Sequence, residues 1–285
     1  MHEAFTSARS GIVAAGSWLV DRNKAVSHWP QEETVAEILE ERHEGGGCGF
    51  NCGIDLKKLG ARYPVHALGL IGADAEGTYL VETATAHGLD VAGLHVTTEA
   101  RTSTTDVMSS VKTGKRTFFH AQGAHAIMGP EHLDVSGLNA RILHLGLPGL
   151  HRRLDSTCGV EANGWVDVLA AARRAGMMTN MELVSIAPER LKAVVSPCLP
   201  HLDLLIVNDH EIGALVDHET VTSGETQVAA REAAARAVLG LGPMRWIAVH
   251  FPGGAILIGR DGTRVFQPSV AVPASEVKGA NGAGD

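Results

Sequence analysis

Basic charge is scarce in this chain: 24 lysines and arginines stand against 32 aspartates and glutamates, a formal net charge of −8. Gripping a nucleic-acid backbone takes a basic face, so no nucleic-acid partner is expected. Long hydrophobic runs are missing too, and MHEAFTSARSG at the start lacks the charged-then-apolar order of a secretory signal. No membrane partner is expected, and the cytoplasm is the expected compartment. Four cysteines, at positions 48, 52, 158 and 198, are too scattered for a disulfide framework. Trp18, Trp29, Trp165 and Trp246 are too dispersed for an aromatic platform, and low-complexity runs, repeats and linkers are absent. Histidine is plentiful at 15 residues, yet none shows metal-ligand spacing; Cys48 and Cys52 lie four apart on an expected helix, where small buried side chains are the ordinary reading.

What is present is 45% hydrophobic residues and 33 glycines over 285 residues, enough to bury the core of one α/β domain spanning 1–285. From about Val65 onward, short apolar runs alternate with helix-like segments. HALGLIG precedes AEGTYLVETATAHG, RILHLGL precedes NGWVDVLAAARRAG, and MMTNMEL, LDLLIVN, TQVAAREAAARAVLGLG and MRWIAVHF follow. Strand-helix units of this kind build a doubly wound, mostly parallel sheet flanked by helices, with ligands at the carboxyl ends of the strands. One stretch breaks the rhythm. Residues 94–125 are rich in Thr, Val and Phe and turn at Lys112 to Lys115, a hairpin pattern, and residues 21–45 also lack a clear helical unit. These two segments are expected to form a small β-sheet lid over the main sheet.

Polar groups stand where strands should end. Asp21 follows the apolar GSWLV, and Gly46 and Gly47 open a turn into a helix bearing Asn51. A carboxylate beside bare backbone suits a diol, and it equally suits a turn acid next to a helix start. In LIVNDHEIGAL, Asn208 and Glu211 have the spacing to hold the water shell of Mg²⁺ beside phosphates, and also that of an N-cap with a first-turn acid. The closing VKGANGAGD has small residues at Gly282, Ala283 and Gly284 whose amides can crowd around an anion, next to the acid Asp285.

In that order, Gly16-Ser17 with Asp21, Gly46-Gly47 with Asn51, LGLIGADAEG, the hairpin with GKRTFFHAQGAHA, Asn208-x-x-Glu211 and a final Gly-Ala-Gly-Asp resemble the ribokinase-like (PfkB-type) carbohydrate kinase family from about Gly11 to the last residue. The resemblance implies transfer of the ATP γ-phosphoryl group to a hydroxyl of a sugar or related small polyol, with Mg²⁺. It implies Asp285 as general base, the amides of Gly282, Ala283 and Gly284 as anion hole, and Asp21, Gly46, Gly47 and Asn51 as the sugar site. Asn208, Gly253 and Asn281 would meet the nucleotide, and Glu211 would hold the metal through water. A homodimer through the lid is a further implied partner.

The chain departs from the family pattern in places. Gly279 and Ala280 replace Asp-Thr in the closing element, removing side chains of the shell around the monovalent-cation site often found there. His250 and Pro252 stand where a threonine and glycine are common, and Glu182 where aspartate is usual. Family members continue past the catalytic aspartate with a helix and an adenine-enclosing segment, so the C-terminal part of the fold is expected beyond Asp285. Two rival readings stay open: a nucleoside kinase of the same fold, and a non-catalytic sugar-binding or regulatory relative.

Overall fold

A computed structural model describes residues 9–157, 161–222 and 225–273. The chain opens with β1 (Ile12–Gly16), β2 (Leu19–Val26), β3 (Ile38–Gly46), α1 (Cys48–Lys58), β4 (Val65–Gly72), α2 (Ala75–Ala86) and β5 (Asp90–Thr97). It continues with β6 (Ser103–Ser110), β7 (Arg116–Ala121), β8 (Ile142–Gly146), α3 (Gly164–Arg174), β9 (Met178–Met181), α4 (Pro188–Val195), β10 (Leu204–Asn208) and α5 (Asp209–Val216). A two-stranded ribbon, β11 (Val221–Thr222) and β12 (Glu225–Thr226), precedes α6 (Val228–Leu239), β13 (Trp246–Phe251), β14 (Gly254–Gly259) and β15 (Arg264–Pro268).

Nine strands form the main sheet in the order β15-β14-β13-β10-β9-β8-β1-β4-β5. All neighbours from β13 to β5 run parallel, and β13, β14 and β15 close the sheet as an antiparallel meander. Parallel strands are covered on both faces and therefore read as apolar runs. Val13, Ala14 and Ala15 of β1, and Leu143 and Leu145 of β8, are wholly buried. One apolar cluster packs around Trp165, Leu169, Leu205 and Ile247, and a second around Trp18, Phe50, Ile54 and Leu80. After β1 the chain steps outward to β4 and β5, then returns to the other side of β1 as β8. That reversal opens a crevice at the carboxyl ends of β1 and β8, where ligands of open α/β sheets bind.

The second sheet has four strands in the order β3-β2-β6-β7, with β2 parallel to β6 and the outer pairs antiparallel. Its boundary differs from the expected one. Residues 94–97 finish β5 of the main sheet, and the small sheet resumes only at Ser103. β5 is the edge strand of the main sheet and is thinly covered: Leu94 is its one buried residue, while Asp90, Ala92, His95 and Val96 are exposed. Trp18 sits where β1 passes into β2. It is wholly buried, donates its indole N–H to the Leu68 carbonyl at 3.1 Å and meets Phe50 edge to face at 5.7 Å. That ring fixes the small sheet against the main one by burial and an aromatic contact together.

Candidate active site

Asp21 lies within β2, in register with Glu44 of β3 and Thr105 of β6, so it is a strand residue and not a turn acid. Its carboxylate reaches toward Gly46: a Cβ added at Gly46 would lie 2.5 Å from Asp21 Oδ2. The next residue, Gly47, occupies the N-cap of α1 at φ 90°, a left-handed conformation that favours glycine. A Cβ there would also meet the Ser17 carbonyl oxygen at 2.5 Å. Asn51 follows in the first turn of α1, its amide N–H donating to the Gly47 carbonyl at 2.9 Å. Asp21 and Asn51 both line a pocket of about 420 Å³, walled by Gly45, Phe50, Ile54 and Tyr79. The four residues expected to hold a sugar therefore gather where α1 begins beneath β2 and β3.

A second pocket, of about 240 Å³, is lined by His144, Glu182, Leu183, Ile206, Asn208, Glu211 and His250. Asn208 and Glu211 make a reciprocal capping box at the start of α5. Glu211 N–H donates to Asn208 Oδ1 at 2.8 Å, and Asn208 N–H donates to Glu211 Oε2 at 3.0 Å. The capping reading of these residues is thus realised, and it leaves both side chains on the pocket wall. Ser185 donates its hydroxyl to Glu211 Oε1 at 3.2 Å. Burial raises the Glu211 pKa, against the lowering pull of the hydrogen bonds from Asn208 and Ser185.

Across the pocket, Asn180 Nδ2 lies 2.9 Å from His144 Nδ1, and His144 Nε2 lies 2.9 Å from Glu182 Oε2. An amide NH₂ only donates, so Nδ1 is the acceptor and the His144 proton sits on Nε2, aimed at Glu182. Burial lowers the His250 pKa and keeps that ring neutral at neutral pH. Gly253 lies in the exposed turn between β13 and β14. Hard oxygen donors from Glu182, Glu211 and Asn208 facing one pocket suit a hydrated Mg²⁺, which takes few direct protein ligands.

The start of α1, which bears Asn51 of the first pocket, meets the strand ends near Glu182 of the second. A Cβ at Gly16 would fall 1.7 Å from the Gly146 carbonyl oxygen, and one at Gly146 would lie 2.7 Å from the Glu182 carbonyl oxygen and 3.2 Å from Cys48 Sγ. The ends of β1, β8 and β9 and the start of α1 thus meet closely, with no room for a side chain at Gly16 or Gly146. Burial pushes the Cys48 thiol well above its ordinary pKa, so it packs here as a neutral group.

Sequence reasoning missed the partners of these groups. Asn180 lies in β9 and Glu182 one residue past its end, two positions on, as His144 and Gly146 are spaced on β8; this two-residue period was the available signal. Missed as well was a ladder of imidazoles between the two sheets. His120 stacks on His125 at 6.0 Å and His125 on His151 at 4.4 Å, while Trp18 N–H donates to His125 Nε2 at 3.2 Å. Burial drives the His151 pKa down to about 3 and holds the ladder neutral. Asn281, Gly282, Ala283, Gly284 and Asp285 lie outside the described residues. Among the described residues no helix is long and apolar enough to cross a membrane, and no group of three or more His, Cys, Asp or Glu has the geometry to hold a metal ion directly.

The pattern of the pfkB family carbohydrate kinases matches residues 9–285, and the chain belongs to that family. Several solved structures share its fold. A ribokinase from Arabidopsis thaliana, solved with ribose and ATP, is 21% identical with a TM-score of 0.74, over 98% of this chain and 83% of that one. A ribokinase from Thermotoga maritima is 22% identical with a TM-score of 0.72, over 93% and 80%. A nucleoside kinase from Methanocaldococcus jannaschii is 17% identical with a TM-score of 0.69, over 96% and 81%. No curated protein matches the chain. The expected fold class, a mostly parallel doubly wound sheet with a separate small β-sheet, is the fold of these kinases.

Proposed function

We propose that this protein transfers the γ-phosphoryl group of ATP to a hydroxyl of a sugar or related small polyol. The observation that carries the reading is the gathering of Asp21, Gly46, Gly47 and Asn51 at the start of α1, which meets the strand ends near Glu182 of the Asn208–Glu211 pocket. Asp21 accepts hydrogen bonds from a vicinal pair of acceptor hydroxyls, Asn51 donates and accepts beside it, and the bare backbone of Gly46 and Gly47 lets the ring approach. Fixing the acceptor in this way supplies the positioning on which phosphoryl transfer depends.

On the other side, Asn208, Glu211 and Glu182 would hold hydrated Mg²⁺, which neutralises phosphate charge when bound. Gly253 offers backbone without a side chain to the nucleotide. Asp285, within the family match, takes the proton of the attacking hydroxyl, and the amides of Gly282, Ala283 and Gly284, with Asn281 beside them, receive the phosphoryl oxygens. The small sheet acts as a lid that excludes water, a competing acceptor. Its outer strand β3 has Ile38 and Leu39 half exposed, and we include in the proposal a homodimer paired through this sheet. A monomeric mass by light scattering at micromolar protein would remove the dimer.

A nucleoside acceptor is the second reading, favoured by Phe50 and Tyr79, which give the first pocket flat apolar walls. ADP release from Mg·ATP against a panel of neutral sugars, polyols and nucleosides separates the two. Release with one class names the acceptor, and acceptor binding without release with any member would mean a non-catalytic relative.

A further inference from the structure

Arg231, in the first turn of α6, has a side chain with no exposure at all. A guanidinium taken wholly out of water is costly unless it is well paired. Here Nε and Nη1 are buried without a hydrogen-bond partner, and two groups meet the rest of the guanidinium. Nη2 donates to Asp209 Oδ2 at 2.9 Å, and the guanidinium carbon lies 3.6 Å from the centroid of the Phe251 ring. The Phe251 ring also stacks on Phe266, with centroids 6.2 Å apart. Asp209 is itself anchored, since Thr220 gives its hydroxyl to the Asp209 carbonyl.

Both partners adjoin residues of the proposed nucleotide side. Asp209 is the first residue of α5 and directly follows Asn208, two positions before Glu211. Phe251 ends β13 and opens the turn that carries Gly253. One buried cation therefore fixes the start of the helix and the start of the turn together.

We infer that Arg231 is a positioning residue for the nucleotide, setting the spacing between the Asn208–Glu211 capping box and the Gly253 turn through Asp209 and Phe251. The inference rests on the reading of that side as the nucleotide site. An ion pair that served only the core would change stability while leaving the two substrates equally affected.

The test is Arg231→Lys, which keeps the charge and loses the planar stack, beside Phe251→Leu, which keeps the ion pair and loses the ring face. ADP binding by calorimetry, and KM for ATP and for the acceptor, are measured at a temperature where melting curves show the variants folded. The expected result is a KM for ATP raised about tenfold, with acceptor KM within about twofold and ADP binding weakened in parallel. Variants that bind ADP as the wild type does, or that shift both KM values equally, would overturn the inference. If Arg231→Lys does not fold, Phe251→Leu decides by the same comparison. A wild-type protein that binds no ADP overturns the nucleotide reading itself, and this inference with it.

Discussion

Asp21 and Gly46 lie diagonally across β2 and β3, so close that a methyl group on Gly46 would sit 2.5 Å from Asp21 Oδ2. The atom displaced is the end of a side chain and not backbone, so Gly46→Ala should fold with a modest loss of about 1 kcal/mol. The carboxylate must turn away, however, and its alignment with the acceptor goes with it. Acceptor KM is expected to rise about tenfold while ATP KM holds, which steady-state kinetics with each substrate varied in turn will read. An unchanged acceptor KM would take Asp21 out of the sugar site.

Glu211 is 6% exposed, and burial raises its pKa above the ordinary carboxylate value. A group whose folded pKa is raised stabilises the fold below its unfolded pKa and loses that contribution as pH rises through the folded value. Near neutral pH the ionised Glu211 is thus a cost to the fold that Glu211→Gln removes. The variant should melt higher than the wild type at neutral pH, by about 1 kcal/mol, with the gap closing as pH falls through the carboxylate range. Its activity should fall at the same time, because a neutral amide does not hold the water shell of Mg²⁺. Melting curves between acid and neutral pH check the sign. A variant less stable at neutral pH would mean that the hydrogen bonds from Asn208 and Ser185 outweigh the desolvation.

Strand-helix alternation was legible because parallel strands must be apolar on both faces, and β4, β8, β10 and β13 fall on the runs read from sequence. Asn51, Asn208 and Glu211 stand at helix starts, positions that local sequence marks, whereas Asp21 falls inside β2 and not at the strand end that the apolar run before it suggests. Residues 94–97 were misassigned for a physical reason: an edge strand of the main sheet is largely exposed and lacks the continuous apolar run that marks the central parallel strands. Contacts made by sheet order were not legible at all. His144 meets Glu182 only because β8 lies beside β9, and Arg231 meets Asp209 and Phe251 only after α6 has packed beneath α5 and β13.

The most direct measurement is ADP release by the wild type and by Asp285→Asn, with Mg·ATP and the acceptor that the panel identifies. Replacing a positioned general base should lower turnover by about 10² to 10⁴-fold and leave acceptor binding near its wild-type value. An Asp285→Asn protein that turns over like the wild type would contradict the assignment of Asp285 as the base, and with it the proposed chemistry of this site.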